Sequence, residues 1–254
     1  MRWFRPILTI LGLLLTWQVL VWLSGVEPFI LPGPDRVLTA WVNRSTSILP
    51  NALVTFSEIL LGFLLGGLGG ALAALAIAQV GILRRWLLPV LVISQAIPVF
   101  ALAPLLVLWF GYGMASKVIM AVLIIFFPVT AAFYDGLRRT EPGWLDLART
   151  MTAGRPHAGW ALLRHIRIPA ALPACATGLR VAAAVAPIGA VIGEWVGSSA
   201  GLGYIMLQAN ARMQVDVMFA ALLTLTLMAA GFYFAVDALL RRALPWQADT
   251  INLH

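Results

Sequence analysis

The residues able to do chemistry are few, and their spacing suits little of it. Histidine occurs three times, at His157, His165 and His254, and cysteine once, at Cys175. A metal site needs several such ligands converging, and His157 and His165 are separated along the chain with no cysteine nearby, so no metal set is expected. Nucleophilic catalysis at membrane depth needs a serine facing a histidine, and all three histidines fall outside the apolar runs. Nucleotide hydrolysis needs G-x-x-x-x-G-K-[ST], whose lysine contacts the phosphates. The only lysine, Lys117, instead opens an apolar run. The chain is therefore read as non-catalytic, binding no cofactor of its own.

The elements that would position the remaining polar residues follow from composition. The 254 residues are 61% hydrophobic and 11% charged, with a mean hydropathy of +0.94. A soluble domain carries about 25% charged residues to cover its exterior. This balance excludes an ordinary soluble enzyme, a disordered chain and a disulfide scaffold, and implies an all-α polytopic membrane protein. The net charge of +7 comes from arginine-rich turns between apolar runs rather than from a basic soluble segment, so nucleic acid is not expected as a partner.

Charge-free windows predict about six spans, at residues 7–24, 51–78, 86–110, 116–135, 173–195 and 217–240. The whole of 1–254 then reads as one transmembrane domain. Arg2 and Arg5 precede a first apolar stretch that is longer than a signal-peptide core and lacks an A-x-A site, so it is expected to remain as a span. Thirteen of the 17 basic residues then fall on one side: Arg2 and Arg5, the turns at Arg84-Arg85, Arg138-Arg139 and Arg241-Arg242, the others in the segment 136–172, and Arg180. By the positive-inside rule that side, with both termini, is cytoplasmic. Arg36, Arg44, Lys117 and Arg212 fall on the other side. After the first span, Leu31-Pro32-Gly33-Pro34 is expected to form a stiff turn. Asp35 would then cap a short amphipathic helix bearing Val37, Leu38 and Trp41.

Polar groups at membrane depth are costly and tend to face the bundle interior. Glu194, between Gly193 and Trp195, is a candidate pathway or gate residue, with a structurally paired carboxylate as the alternative. Glu58 is expected to pair with an arginine or a partner helix. Ser94 and Gln95 precede Pro98, and proline breaks free backbone carbonyls that can line a cavity, so both are pathway candidates. Gly62, Gly66 and Gly70 repeat a G-x-x-x-G spacing, which lets helices approach closely.

The segment 136–172 is the most polar. Asp146-Leu147-Ala148-Arg149 suits a helix start, Gly154 and Pro156 break the chain, and Trp160, Leu163 and Ile166 follow at intervals of three. A helical hairpin with exposed apolar residues outside the membrane suggests docking to a soluble partner.

Here the sequence resembles bacterial ABC-importer permeases, whose cytoplasmic loop reads E-A-A-x-x-x-G followed by I-x-L-P. The matching residues are Asp146-Leu147-Ala148 and Ile166-Arg167-Ile168-Pro169, followed by Ala170-Ala171-Leu172-Pro173. Asp146 stands for the usual glutamate, the family glycine falls at Thr152 with Gly154 nearest, and the segment before Ile166 is longer than the pattern. The resemblance implies a coupling helix over roughly 152–163 that seats on an ATPase subunit. Its site residues would be Asp146, Ala148, Thr152, Gly154, Arg155, Pro156, His157, Trp160 and Leu163. Ile30-Leu31-Pro32-Gly33-Pro34, Gly178-Leu179-Arg180, Gly193-Glu194 and Gly201-Leu202-Gly203 are similar to permeases for nitrate, sulfonate, taurine and thiamine precursors. The stretch 184–213 is most similar to permeases for hydroxymethylpyrimidine-type precursors. The resemblance also implies partners: a second copy, two ATPase subunits holding ATP and magnesium, and an extracytoplasmic binding protein, all at a bacterial inner membrane. A self-sufficient secondary transporter or channel is the rival reading. It predicts inverted repeats and several intramembrane charges, and no clear repeat is visible.

Overall fold

The computed structural model describes residues 4–153 and 158–247. Its helices are α1 (Phe4–Ser24), α2 (Pro34–Asn43), α3 (Ser45–Gln79), α4 (Gly81–Ser94), α5 (Val99–Phe110) and α6 (Met114–Arg138). They continue with α7 (Pro142–Thr152), α8 (Ala158–Leu162), a π-helical turn (Leu163–Arg167), α9 (Ile168–Gly197), α10 (Leu202–Ala211) and α11 (Val215–Ala243). Among the described residues there is no strand.

Among the described residues, four helical stretches are long and apolar enough to cross a membrane: α3, α6, α8 through α9, and α11. The 35 residues of α3 reach about 52 Å at 1.5 Å per residue, well beyond a hydrocarbon core of about 30 Å. In α1 the apolar stretch within the described helix is shorter, Leu11–Ser24.

Two predicted elements are corrected. Residues 86–110 do not form one straight span: α4 and α5 meet at 102°. The residue before a proline is disfavoured in helical conformation, and the turn ends at Pro98, whose backbone is extended (ψ 121°). Nor does the helix predicted at 173–195 start at Pro173. It runs without interruption from Ala158 to Gly197, with the π-helical turn inside it, so much of the predicted loop 136–172 is helical. At α2, Pro34 occupies the first turn, where its missing N–H costs nothing. Asp35 lies inside that turn rather than capping it, and no side chain caps the helix. Val37 faces inward, and the Trp41 indole donates to the Thr224 hydroxyl at 3.0 Å, which docks α2 on α11.

The core is a three-helix stack with α6 between α3 and α9. Ile59, Ile125 and Val129 fill it alongside Ala121, Ala182 and Ala186. Small residues set the spacing. A methyl added at Gly62 would collide with the Ala121 side chain, one at Gly70 would sit 2.8 Å from the Phe126 carbonyl oxygen, and one at Gly66 would sit 2.9 Å from the Ile125 side chain. From the other side, Gly189 and Gly178 press against the backbones of Ala121 and Pro128. Backbones this close gain dispersion contact that larger side chains would forbid.

A substitution pair checks this packing by thermal unfolding in detergent. Gly62→Ala is expected to destabilise by about 1–3 kcal/mol, the usual cost of overpacking. Gly231→Ala in α11, where an added methyl meets nothing within 4 Å, is expected to be neutral or to stabilise by up to about 1 kcal/mol through helix propensity.

Candidate functional site

The long helices bring three charged side chains to one buried spot. Glu58 of α3, Lys117 of α6 and Glu194 of α9 are each at most 5% exposed. The Lys117 ammonium donates to Glu58 Oε1 at 2.9 Å. Glu194 Oε1 accepts from the Thr55 hydroxyl at 2.5 Å, and Glu194 Oε2 accepts from the Gly203 amide at 2.5 Å. The Leu202 amide donates to Thr55 Oγ1 at 2.8 Å, and the Gly201 amide donates to Asn51 Oδ1 at 2.6 Å. Among the described residues, Glu58 Oε2 has no hydrogen-bond donor.

The arrangement solves a local problem at the start of α10. The first amides of a helix have no partner within it and carry the positive end of its dipole. A carboxylate and two side-chain oxygens supply the acceptors here. Gly201 has φ +113°, a conformation that L side chains rarely adopt, and an added methyl would run into the Glu194 carboxylate. The turn 198–201 is thereby held against α3 and α9. Burying charge costs several kcal/mol per ion and is offset only when each partner is in place.

A second ion pair ties α9 to α11: Arg180 Nε donates to Asp237 Oδ1 at 2.7 Å, and Arg241 reaches Asp237 Oδ2 at 2.8 Å.

At the opposite end of the bundle, α7 and α8 form a hairpin. Leu163, in the π-helical turn, is 3% exposed and packs into a cluster with Ala74, Phe133, Leu137 and Ala171. It therefore faces the bundle and anchors the hairpin. Arg167 Nη2 donates to the Leu137 carbonyl at 3.0 Å, which caps the end of α6. Ala148 is buried, and Thr152 bonds back to the Ala148 carbonyl at 2.7 Å. Asp146 pairs with Arg149 at 3.0 Å on an exposed face, where such a pair contributes little. Trp144, Leu147, Met151 and Trp160 are all more than half exposed. The candidates Gly154, Arg155, Pro156 and His157 lie outside the described residues.

Ser94 and Gln95 sit at the elbow between α4 and α5, both exposed. Their side-chain hydrogen bonds among the described residues are local: Ser94 to the Leu91 carbonyl at 2.7 Å, and Gln95 to Ser94 at 3.4 Å. The structure does not join them to Glu194. Gly62, Gly66 and Gly70 lie along α3 where it meets α6. Among the described residues, no group of three or more His, Cys, Asp or Glu side chains could hold a metal ion.

Sequence reasoning placed Lys117 at the outer opening of a span without a partner, and the structure buries it as the partner of Glu58. The signal was present: a lone cation and a lone anion in two otherwise charge-free runs have little choice but each other. Thr55, Asn51 and the Arg180–Asp237 pair carried no comparable signal.

The sequence matches the family of binding-protein-dependent transport system inner membrane components over residues 62–246. A probable ABC transporter permease protein of Haemophilus influenzae is 54% identical over 241 residues, covering 95% of this chain and 97% of that protein. The formylaminopyrimidine transport permease of Halalkalibacterium halodurans is 36% identical, covering 96% of each chain. The riboflavin transport system permease of Chloroflexus aurantiacus is 37% identical, covering 95% of this chain and 89% of that one. Among solved structures, an inward-facing methionine ABC transporter matches 77% of this chain and 95% of its own with a TM-score of 0.62 at 19% identity, a likeness of fold.

The charge cluster is testable by a double-mutant cycle on thermal stability. Lys117→Met alone strands the buried Glu58 carboxylate and is expected to cost about 3–5 kcal/mol. Lys117→Met combined with Glu58→Leu removes both charges and is expected to recover most of that loss.

Proposed function

As a chain that belongs to the family of binding-protein-dependent transport system inner membrane components, this protein is a membrane-embedded ABC importer permease subunit, and we propose that its solute is a thiamine pyrimidine precursor. Two copies enclose the path, a pair of ATPase subunits supplies the energy with ATP and magnesium bound to them, and an extracytoplasmic binding protein delivers the solute. This chain binds no cofactor and performs no catalysis. Both termini and the α7–α8 hairpin face the cytoplasm of a bacterial inner membrane.

One observation carries the coupling role. The hairpin is bolted to the bundle through Leu163 and the Arg167–Leu137 bond, yet it leaves Trp144, Leu147, Met151 and Trp160 more than half exposed. Exposed tryptophans on an anchored element are the anchors that protein interfaces use. A force applied to this hairpin reaches α9 through continuous helix and α6 through the Leu163 packing and the Arg167–Leu137 bond, so closure of the ATPases would move the path-forming helices as bodies.

The substrate reading draws support from the formylaminopyrimidine permease at 36% identity over nearly the full length. The riboflavin permease at similar identity makes riboflavin the control. Sulfonates, taurine and nitrate come next.

Co-purification and uptake test both levels. Tagged wild-type chain in detergent is expected to bring down an ATPase subunit, and Trp160→Asp to lose most of it while keeping its melting temperature. Vesicles containing the full complex are expected to accumulate labelled formylaminopyrimidine, and not riboflavin, only when ATP is inside and binding protein outside. Transport by the chain alone without ATP would instead establish a secondary transporter.

A further inference from the structure

A sizeable cavity lies away from the charge cluster. A crevice of about 640 Å³ separates α4 from α6 at the end of the bundle where α3 finishes. Arg84, near the start of α4, and Arg138, at the end of α6, both line it. Further along the two helices from these arginines, Leu88, Leu91 and Val92 of α4 and Tyr134, Ala131 and Phe127 of α6 continue the lining. Each helix thus contributes one arginine and an apolar stretch to the lining.

Something must fill this space in a bilayer. None of the residues of α4 is buried, and its main helix contact is with α3. The crevice is apolar along most of its length, so filling it with water would leave both walls hydrated at membrane depth. Charge selects the occupant. Asp135 also lines the crevice, and it is shared between Arg138 at 3.4 Å and Arg139 at 3.0 Å. Arg84 makes no ion pair among the described residues. The lining thus keeps an excess of positive charge, and guanidinium groups bind phosphate through paired N–H donors. Basic pockets between transmembrane helices hold anionic lipid headgroups by this chemistry.

We propose that the α4–α6 crevice is a binding site for an anionic phospholipid, with its phosphate at Arg84 and Arg138 and an acyl chain along Leu91, Val92, Phe127 and Ala131. The lipid takes the place of a helix neighbour for α4 and couples that loosely held helix to the core. The site depends only on the chain lying in a membrane, so its failure and a failure of the transport reading are separate results.

The test is native mass spectrometry and thermal unfolding of the purified full chain after exchange into defined lipid. Wild type is expected to retain phosphatidylglycerol through delipidation and to be stabilised by it more than by phosphatidylcholine. Arg84→Ala with Arg138→Ala is expected to lower retention by about tenfold or more, from about 1 kcal/mol per basic residue. Ala131→Trp, which fills the crevice and leaves both arginines in place, is expected to lower it similarly. Equal retention of the two lipids, unchanged retention in either variant, or equal stabilisation by inorganic phosphate would overturn the proposal. So would efficient disulfide formation between two copies at Val92→Cys in a Cys175→Ser background, because a second copy would then cover the crevice.

Discussion

Membrane-buried charge sets the terms for this fold. Glu58, Lys117 and Glu194 come from three different helices, and none of them can be satisfied by its own helix or by water. Their positions therefore fix the relative height and rotation of α3, α6 and α9 before any apolar contact is counted. Apolar packing between helices in a bilayer discriminates weakly, because lipid tails compete with side chains on equal terms. A buried cation that must meet one carboxylate discriminates sharply, since a shift of one turn strands both partners. The same cluster extends to the start of α10 through Glu194, Thr55 and Asn51. One set of hydrogen bonds thus pins the bundle and closes its connection at that end.

Glycine and alanine do the complementary work. The clash a methyl would meet at Gly62, Gly70, Gly178 and Gly189 shows how closely α6 is sandwiched. Only at that separation does the Lys117 side chain reach Glu58, and only there does the Thr130 hydroxyl reach the Gly70 carbonyl at 3.2 Å. Close approach and charge pairing depend on each other, and neither alone would specify the register.

This mutual dependence explains what was legible in the sequence. Charge-free runs mark α3, α6 and α11 to within several residues, because apolarity over that length has one use. The G-x-x-x-G run is readable for the same reason. The elbow between α4 and α5 was less so: Pro98 advertised a break, but the apolar run on both sides fits a straight span equally well, and a 102° bend is a tertiary fact. The helix begun at Ala158 was hidden because Pro169 and Pro173 look like loop residues in sequence. In the structure Pro169 directly follows the π-helical turn and Pro173 lies one turn further on, both absorbed within the continuous helical run. Among functional candidates, the exposed hairpin residues follow from local pattern. The Thr55 and Asn51 contacts do not, since residues separated by well over a hundred positions meet there.

The resulting molecule is mechanically uneven. Its α3–α6–α9 stack is held by buried charge, backbone-close packing and the Arg180 tie to α11. Against it, α4 buries no residue and joins α5 through an elbow rather than a continuous helix. Low burial means little apolar free energy opposes displacement, so α4 and its elbow belong to the least stable part of the fold. The hairpin sits at the other extreme, because Leu163 and Arg167 join it directly to the stack. A displacement entering at α7–α8 would therefore be passed on by α6 and α9 with little loss and absorbed where α4 meets its surroundings. That separation of a stiff transmitter from a compliant wall is what a subunit needs if a solute path is to open without unfolding its core.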